Sequence, residues 1–185
     1  MRGSRKGPFC VEYLYTLYFR KKVLSLYALE WRIAMADYII LTDSSADLPS
    51  DYLKDNNIYS VSLKYTLEGV EYANDDEVAA QSFYTKVRNG SMPTTSQVNP
   101  QEAKEKFDEV VKLSKNILCL SFSSGLSGTF NSFRLAAEEI MDEDDSINII
   151  VIDSLCASLG QGLFVHKAVE NKNAGFKRKR FILSH

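Results

Sequence analysis

Histidine is nearly missing from this chain: 2 of its 185 residues, His166 and His185. His166 falls inside a predicted helix and reads as a surface residue, and His185 ends the sequence. Neither is placed to be the base of a Ser–His–Asp arrangement, and no Gly-x-Ser-x-Gly elbow accompanies the many serines. Glycine-rich phosphate motifs are absent too. No stretch ends in Gly-Lys-Ser/Thr and none has Gly-x-Gly-x-x-Gly spacing, which excludes a P-loop and a dinucleotide fingerprint. Cysteine is scarce, with 3 residues (Cys10, Cys119, Cys156) and no metal-ligand spacing. They read as free thiols of a reducing, cytoplasmic compartment, Cys119 as a buried strand residue. Zinc and EF-hand patterns are missing, and "MDEDD" (141–145) reads as a solvated turn, so no metal and no cofactor is expected. A formal net charge of −2 provides no basic excess for nucleic acid or an anionic membrane. No apolar run approaches the roughly 18–20 residues of a membrane span.

What is present is enough for one globular core, with 45% apolar residues and neither repeats nor low-complexity segments. The ends differ from the middle. Residues 1–34 are basic and aromatic without clean periodicity and read as a non-native, tag-like extension. Met35, which opens directly into "ADYIILTDSS", reads as the natural start. A secretory leader has some support, since Arg and Lys precede "VLSLYALEW" and "AMA" resembles a cleavage site. Glu30 and Arg32 interrupt its apolar stretch, however. Residues 35–170 read as the folded α/β domain, and 171–185, with the basic block "FKRKRFILSH", as a truncated or altered tail.

Within the domain, "YIIL" (38–41), "NILCLSF" (116–122) and "INIIVID" (147–153) are continuous apolar runs, the mark of strands buried on both faces. Pro49 predicts a short helix to about Asn56. The alternation of Val61, Leu63, Tyr65 and Leu67 predicts one half-buried strand that turns at Gly69. "VAAQSFYTKVRNG" reads as a helix stopped by Gly90. Asn99, Pro100 and Glu102 form a capping-box signature, followed by Ala103, Phe107, Val110 and Val111 on one face. A further helix places Phe130, Phe133, Ala137, Ile140 and Met141 on one side, and the last carries Leu159, Leu163, Val165 and Val169. Strands alternating with amphipathic helices imply right-handed βαβ units, hence an α/β fold on a parallel, Rossmann-like sheet.

Each apolar run ends in small polar residues: Asp43, Ser44, Ser45 after the first, Ser121, Ser123, Ser124 after the second, Asp153, Ser154 after the third. Ligands of open parallel sheets bind outside the carboxyl ends of the strands, so these loops are candidates to face one crevice. Ordinary capping and turn chemistry accounts for each loop taken singly. The residues leave two readings open beside that one: a binding module, and a hydrolase or phosphotransferase using a loop serine or Asp43.

Four stretches, "TDSSADLP", "PTTSQVNP", "SFSSGLSGTFNS" and "VIDSLCASLGQG", occur in an order and at separations that resemble the DegV family. The resemblance covers roughly Met35 to Gly175. It implies a two-domain α/β protein that binds a long-chain fatty acid and presents its carboxylate to the separate kinase subunit of bacterial fatty acid kinase. On that resemblance Thr95 and Ser96 would hold the carboxylate, with Ser127, Gly128 and Thr129 as a second headgroup loop and Ser44 and Ser45 at the crevice mouth. The chain itself would be no enzyme. Two departures are visible. The family's second domain is expected to be missing or truncated, which would point to an inactive fragment as a third reading and to homo-oligomers through exposed apolar surface. Ala79 and Ala80 stand where the family often has a hydroxyl or proline.

Overall fold

The computed structural model describes residues 38–73 and 78–175; the readings of 1–34 and 176–185 lie outside them. The three apolar runs become β1 (Ile39–Asp43), β6 (Asn116–Ser121) and β7 (Asn148–Asp153). With β2 (Ile58–Val61) they form a four-stranded sheet of order β2-β1-β6-β7, every pairing parallel. The α/β parallel-sheet expectation is thus met, with the three runs side by side.

Alternation along β1 and β6 divides the core into two layers. Leu41, Ile117 and Cys119 face α3 (Pro100–Val111) and α4 (Thr129–Glu143), where Phe107 meets Phe133 edge-on at 5.7 Å between ring centroids. Ile40, Leu118 and Leu120 face α1 (Ser50–Asp55) and α5 (Leu159–Asn173), against Tyr52, Val165, Ala168 and Val169. The α3 start follows its local signature: Asn99 Oδ1 accepts the Glu102 N–H at 2.9 Å, and Glu102 Oε2 accepts the Asn99 N–H at 3.0 Å. Phe130 is only half-buried, and Leu159 and Leu163 stay 72% and 59% exposed.

The segment from Ile58 to Tyr72 departs from its reading as one strand. It forms three: β2 in the parallel sheet, then β3 (Lys64–Leu67) and β4 (Val70–Tyr72), which join β5 (Thr94–Ser96) in a separate antiparallel sheet of order β4-β3-β5. The chain changes sheets at Ser62–Leu63, where the Leu63 N–H turns to Ser44 Oγ at 2.9 Å instead of a ladder partner. The turn at Gly69 is as expected. Glu68 and Gly69 both have positive φ, 54° and 81°, as a two-residue hairpin turn requires. The other outer strand of this sheet is β5 (Thr94–Ser96), which pairs Thr95 with Tyr65 and Ser96 with Lys64. Between them in sequence lies α2 (Ala80–Arg88), followed by Gly90 at φ 103°.

Candidate functional site

The carboxyl end of the parallel sheet and the small antiparallel sheet enclose a cleft of about 410 Å³. Ser44, Ser45 and Asp47 line it from the turn after β1, Leu63, Lys64 and Tyr65 from β3 and its entry, Thr95 from β5, and Phe122 from the end of β6. Hydroxyl residues, two charged residues (Asp47 and Lys64) and the apolar or aromatic Leu63, Tyr65 and Phe122 therefore share this lining.

Asp43 anchors this end of the sheet. It is fully buried, and each partner donates to it. The Phe122 N–H reaches Oδ2 at 2.8 Å, while the Ser45 N–H and the Gln161 amide reach Oδ1 at 3.1 Å. The Ser45 hydroxyl donates to Oδ1 as well. Burial pushes the Asp43 pKa above its ordinary value, and the hydrogen bonds, that of the Ser45 hydroxyl foremost, oppose that rise. Both oxygens being engaged and buried, Asp43 offers no face to a substrate.

Gln161 was not among the sequence candidates. It is fully buried at the start of α5, and its amide also reaches Thr42 Oγ1 at 3.2 Å. The signal for it was the pair of flanking glycines, which mark a close approach. Tyr65 and Phe122 were missed as well; nothing local distinguishes them from core aromatics.

The structure separates the predicted hydroxyl row. Thr95 shares its face of β5 with Tyr65 and lines the cleft; Ser96, one residue on, lies on the opposite face with Lys64. The Lys64 ammonium is paired with Glu102 at 2.7 Å and Glu71 at 3.5 Å. Ser127, Gly128 and Thr129 do not line the cleft. They join the start of α4 to the segment after β5. The Gly128 N–H donates to Gln97 Oε1 at 3.1 Å, and buried Thr129 Oγ1 accepts the Val98 N–H at 3.3 Å. Ser127 Oγ accepts the Thr129 N–H at 3.2 Å. The two motif loops are therefore neighbours, Ser96 standing one residue from the first of these contacts.

The loops after β6 and β7 are joined to each other. Ser123 N–H donates to the Cys156 carbonyl at 3.1 Å and Ser154 N–H to the Ser121 carbonyl at 3.1 Å. Burial alone would raise the Asp153 pKa, but hydrogen bonds from Ser124 and Leu155 hold it below its ordinary value. His166 is half-exposed on α5, its Nδ1 2.7 Å from the Tyr52 hydroxyl. No group of His, Cys, Asp and Glu that could hold a metal occurs among the described residues, and no helix among them is long and apolar enough to cross a membrane.

A family model described as "Uncharacterised protein, DegV family" matches residues 38–181. A DegV domain-containing protein of Clostridium perfringens is 43% identical over 143 residues, 76% of this chain and 49% of that protein. Among solved structures, a fatty-acid-binding DegV family protein from Thermus thermophilus superposes with a TM-score of 0.72. Its identity is 32%, and the match covers 80% of this chain and 51% of that one. DegV, a fatty acid binding protein from Bacillus subtilis, superposes with a TM-score of 0.70 at 29% identity, over 80% and 51% of the two chains. The chain spans about half the length of the curated relatives it matches.

Proposed function

The chain belongs to the DegV family, and on that premise we propose that it binds a long-chain fatty acid by its carboxylate and holds it for phosphorylation by a separate kinase subunit. The observation that carries this reading is the cleft in which the hydroxyl residues Ser44 and Thr95 stand beside Leu63, Tyr65 and Phe122, with Lys64 and Asp47 also on the lining. A carboxylate leaving water must be hydrogen-bonded, because an unpaired buried charge is very costly. Neutral hydroxyls supply those bonds without adding charge. Each buried CH₂ of the tail contributes about 0.8 kcal/mol, so the tail would carry most of the affinity. Ser96, Ser127, Gly128 and Thr129, which do not line this cleft, enter the proposal as headgroup residues on the family resemblance alone.

The chain acts as a binding module rather than a catalyst in this reading, and works in the cytoplasm. Full burial of Asp43 supports the first point, since the rival hydrolase or phosphotransferase would need that carboxylate accessible. Four of the six exposed leucines among the described residues, Leu126, Leu155, Leu159 and Leu163, support contact with a further protein surface, either the kinase subunit or a second copy.

Mass spectrometry of organic extracts from the purified chain tests the reading directly. Long-chain fatty acid should be recovered in stoichiometric amount, and oleate added to stripped protein should rebind. Extracts free of fatty acid, with no oleate uptake by calorimetry, would sink the proposal. Ser96→Ala should weaken oleate more than about tenfold if its hydroxyl donates to the carboxylate; unchanged affinity would reduce "PTTSQVNP" to a turn.

A further inference from the structure

The two serines that follow β1 are wired with opposite polarity. A serine hydroxyl has one hydrogen to give and lone pairs to receive with. Ser44 Oγ accepts the Leu63 N–H at 2.9 Å, and among the described residues nothing accepts its hydrogen. Ser45 Oγ instead donates to Asp43 Oδ1. The other partners of Asp43 set that direction. The N–H groups of Ser45 and Phe122 and the Gln161 amide all donate to its two oxygens, at 3.1, 2.8 and 3.1 Å. A carboxyl surrounded by donors is the acceptor of every bond it makes.

Both serines line the same cleft. Ser44 offers it a hydrogen, and accepting from Leu63 makes that hydroxyl a better donor. Ser45 offers lone pairs backed by a negative charge. A carboxylate headgroup has only acceptors, so it bonds to the first and is repelled by the second. We propose that Ser44 is the serine of this loop that donates to the ligand carboxylate, and that Ser45 is kept out of that contact because Asp43 takes its proton. This rests on the fatty-acid reading and sharpens it, leaving Ser45 to line the cleft without bonding the headgroup.

The test titrates the 185-residue chain with cis-parinaric acid and with its methyl ester, following the fluorescence of the probe. Ser44→Ala should weaken the acid at least about tenfold and the ester less than about threefold. Ser44→Thr, which keeps the hydroxyl, should bind the acid within about threefold of the parent, and Ser45→Ala should do the same. A loss in Ser45→Ala as large as in Ser44→Ala overturns the assignment and leaves the fatty-acid reading standing. So does an equal loss of acid and ester in Ser44→Ala that Ser44→Thr does not rescue. A parent chain that takes up neither probe, or the ester alone, overturns the fatty-acid reading itself and this assignment with it.

Discussion

Gly162 packs so tightly under the turn after β1 that a Cβ on it would stand 2.6 Å from the Ala46 carbonyl oxygen. Glycine inside a helix normally costs about 1 kcal/mol relative to alanine, so Gly162→Ala would be a stabilising change in an open helix. Here backbone would have to move, and overpacking typically costs about 1–3 kcal/mol. Urea denaturation should show Gly162→Ala no more stable than the parent and up to about 2 kcal/mol less stable. An increase in unfolding free energy would mean that α5 does not pack against the Ala46 turn this closely.

The start of α2 is uncapped: Ala79 occupies the capping position and makes no side-chain hydrogen bond there. Its backbone is non-helical, φ −47° and ψ 131°, as a capping serine or aspartate requires. Ala79→Asp is expected to raise stability by about 0.5–1 kcal/mol. Thermal melts of parent and variant at neutral pH decide it, and an unchanged midpoint would count against the observed helix start.

Acid should weaken the fold partly through Asp144. Its carboxylate accepts the Ser146 hydroxyl at 2.6 Å, the Lys115 ammonium at 2.9 Å and the Ser146 N–H at 2.9 Å. Those bonds, the Ser146 hydroxyl first, lower its pKa from an ordinary 3.8 to about 2. The folded-state pKa is depressed, so the stabilisation is complete above 3.8 and is lost as pH falls toward 2. Asp43 has the opposite sign: its raised pKa makes ionisation cost stability as pH climbs above its ordinary value. Melting temperature followed through the acid range should fall less steeply in Asp144→Asn than in the parent. Parallel curves would remove Asp144 from the account.

Leu159 and Leu163 lie one turn apart on α5 and remain largely in solvent. Replacing both with glutamate should leave folding stability within about 0.5 kcal/mol per site, as for ordinary surface changes. Sedimentation velocity should then show less self-association than the parent does. A parent that sediments as a clean monomer, or a double variant that associates as strongly, rules out this leucine pair as the contact.

Much of this architecture was legible locally. The runs at 39–41, 117–120 and 149–152 are apolar at every position, as strands covered on both faces are. Asn99, Pro100 and Glu102 specify a helix start through bonds that span three residues. The segment through Val61, Leu63, Tyr65 and Leu67 was misread because its alternation continues unbroken across the change of sheet. Period-2 patterning records which side of a strand is buried, and is silent about which strand lies beside it.

The candidate site divides along the same line. By itself the sequence determined that small polar loops follow each buried strand, and hence which end of a parallel sheet is the candidate for ligand chemistry. Local alternation also implied that consecutive residues of β5 cannot share a face, once pairing with β3 made it a strand. Only the tertiary structure decided what each hydroxyl can do. Ser44 accepts from a residue 19 positions away, and the carboxylate that claims the proton of Ser45 is held by Phe122, 79 positions from Asp43. Hydrogen-bond polarity is set by whichever partner folding brings within reach. Two adjacent serines that are chemically identical in the sequence therefore become a donor and an acceptor in the fold.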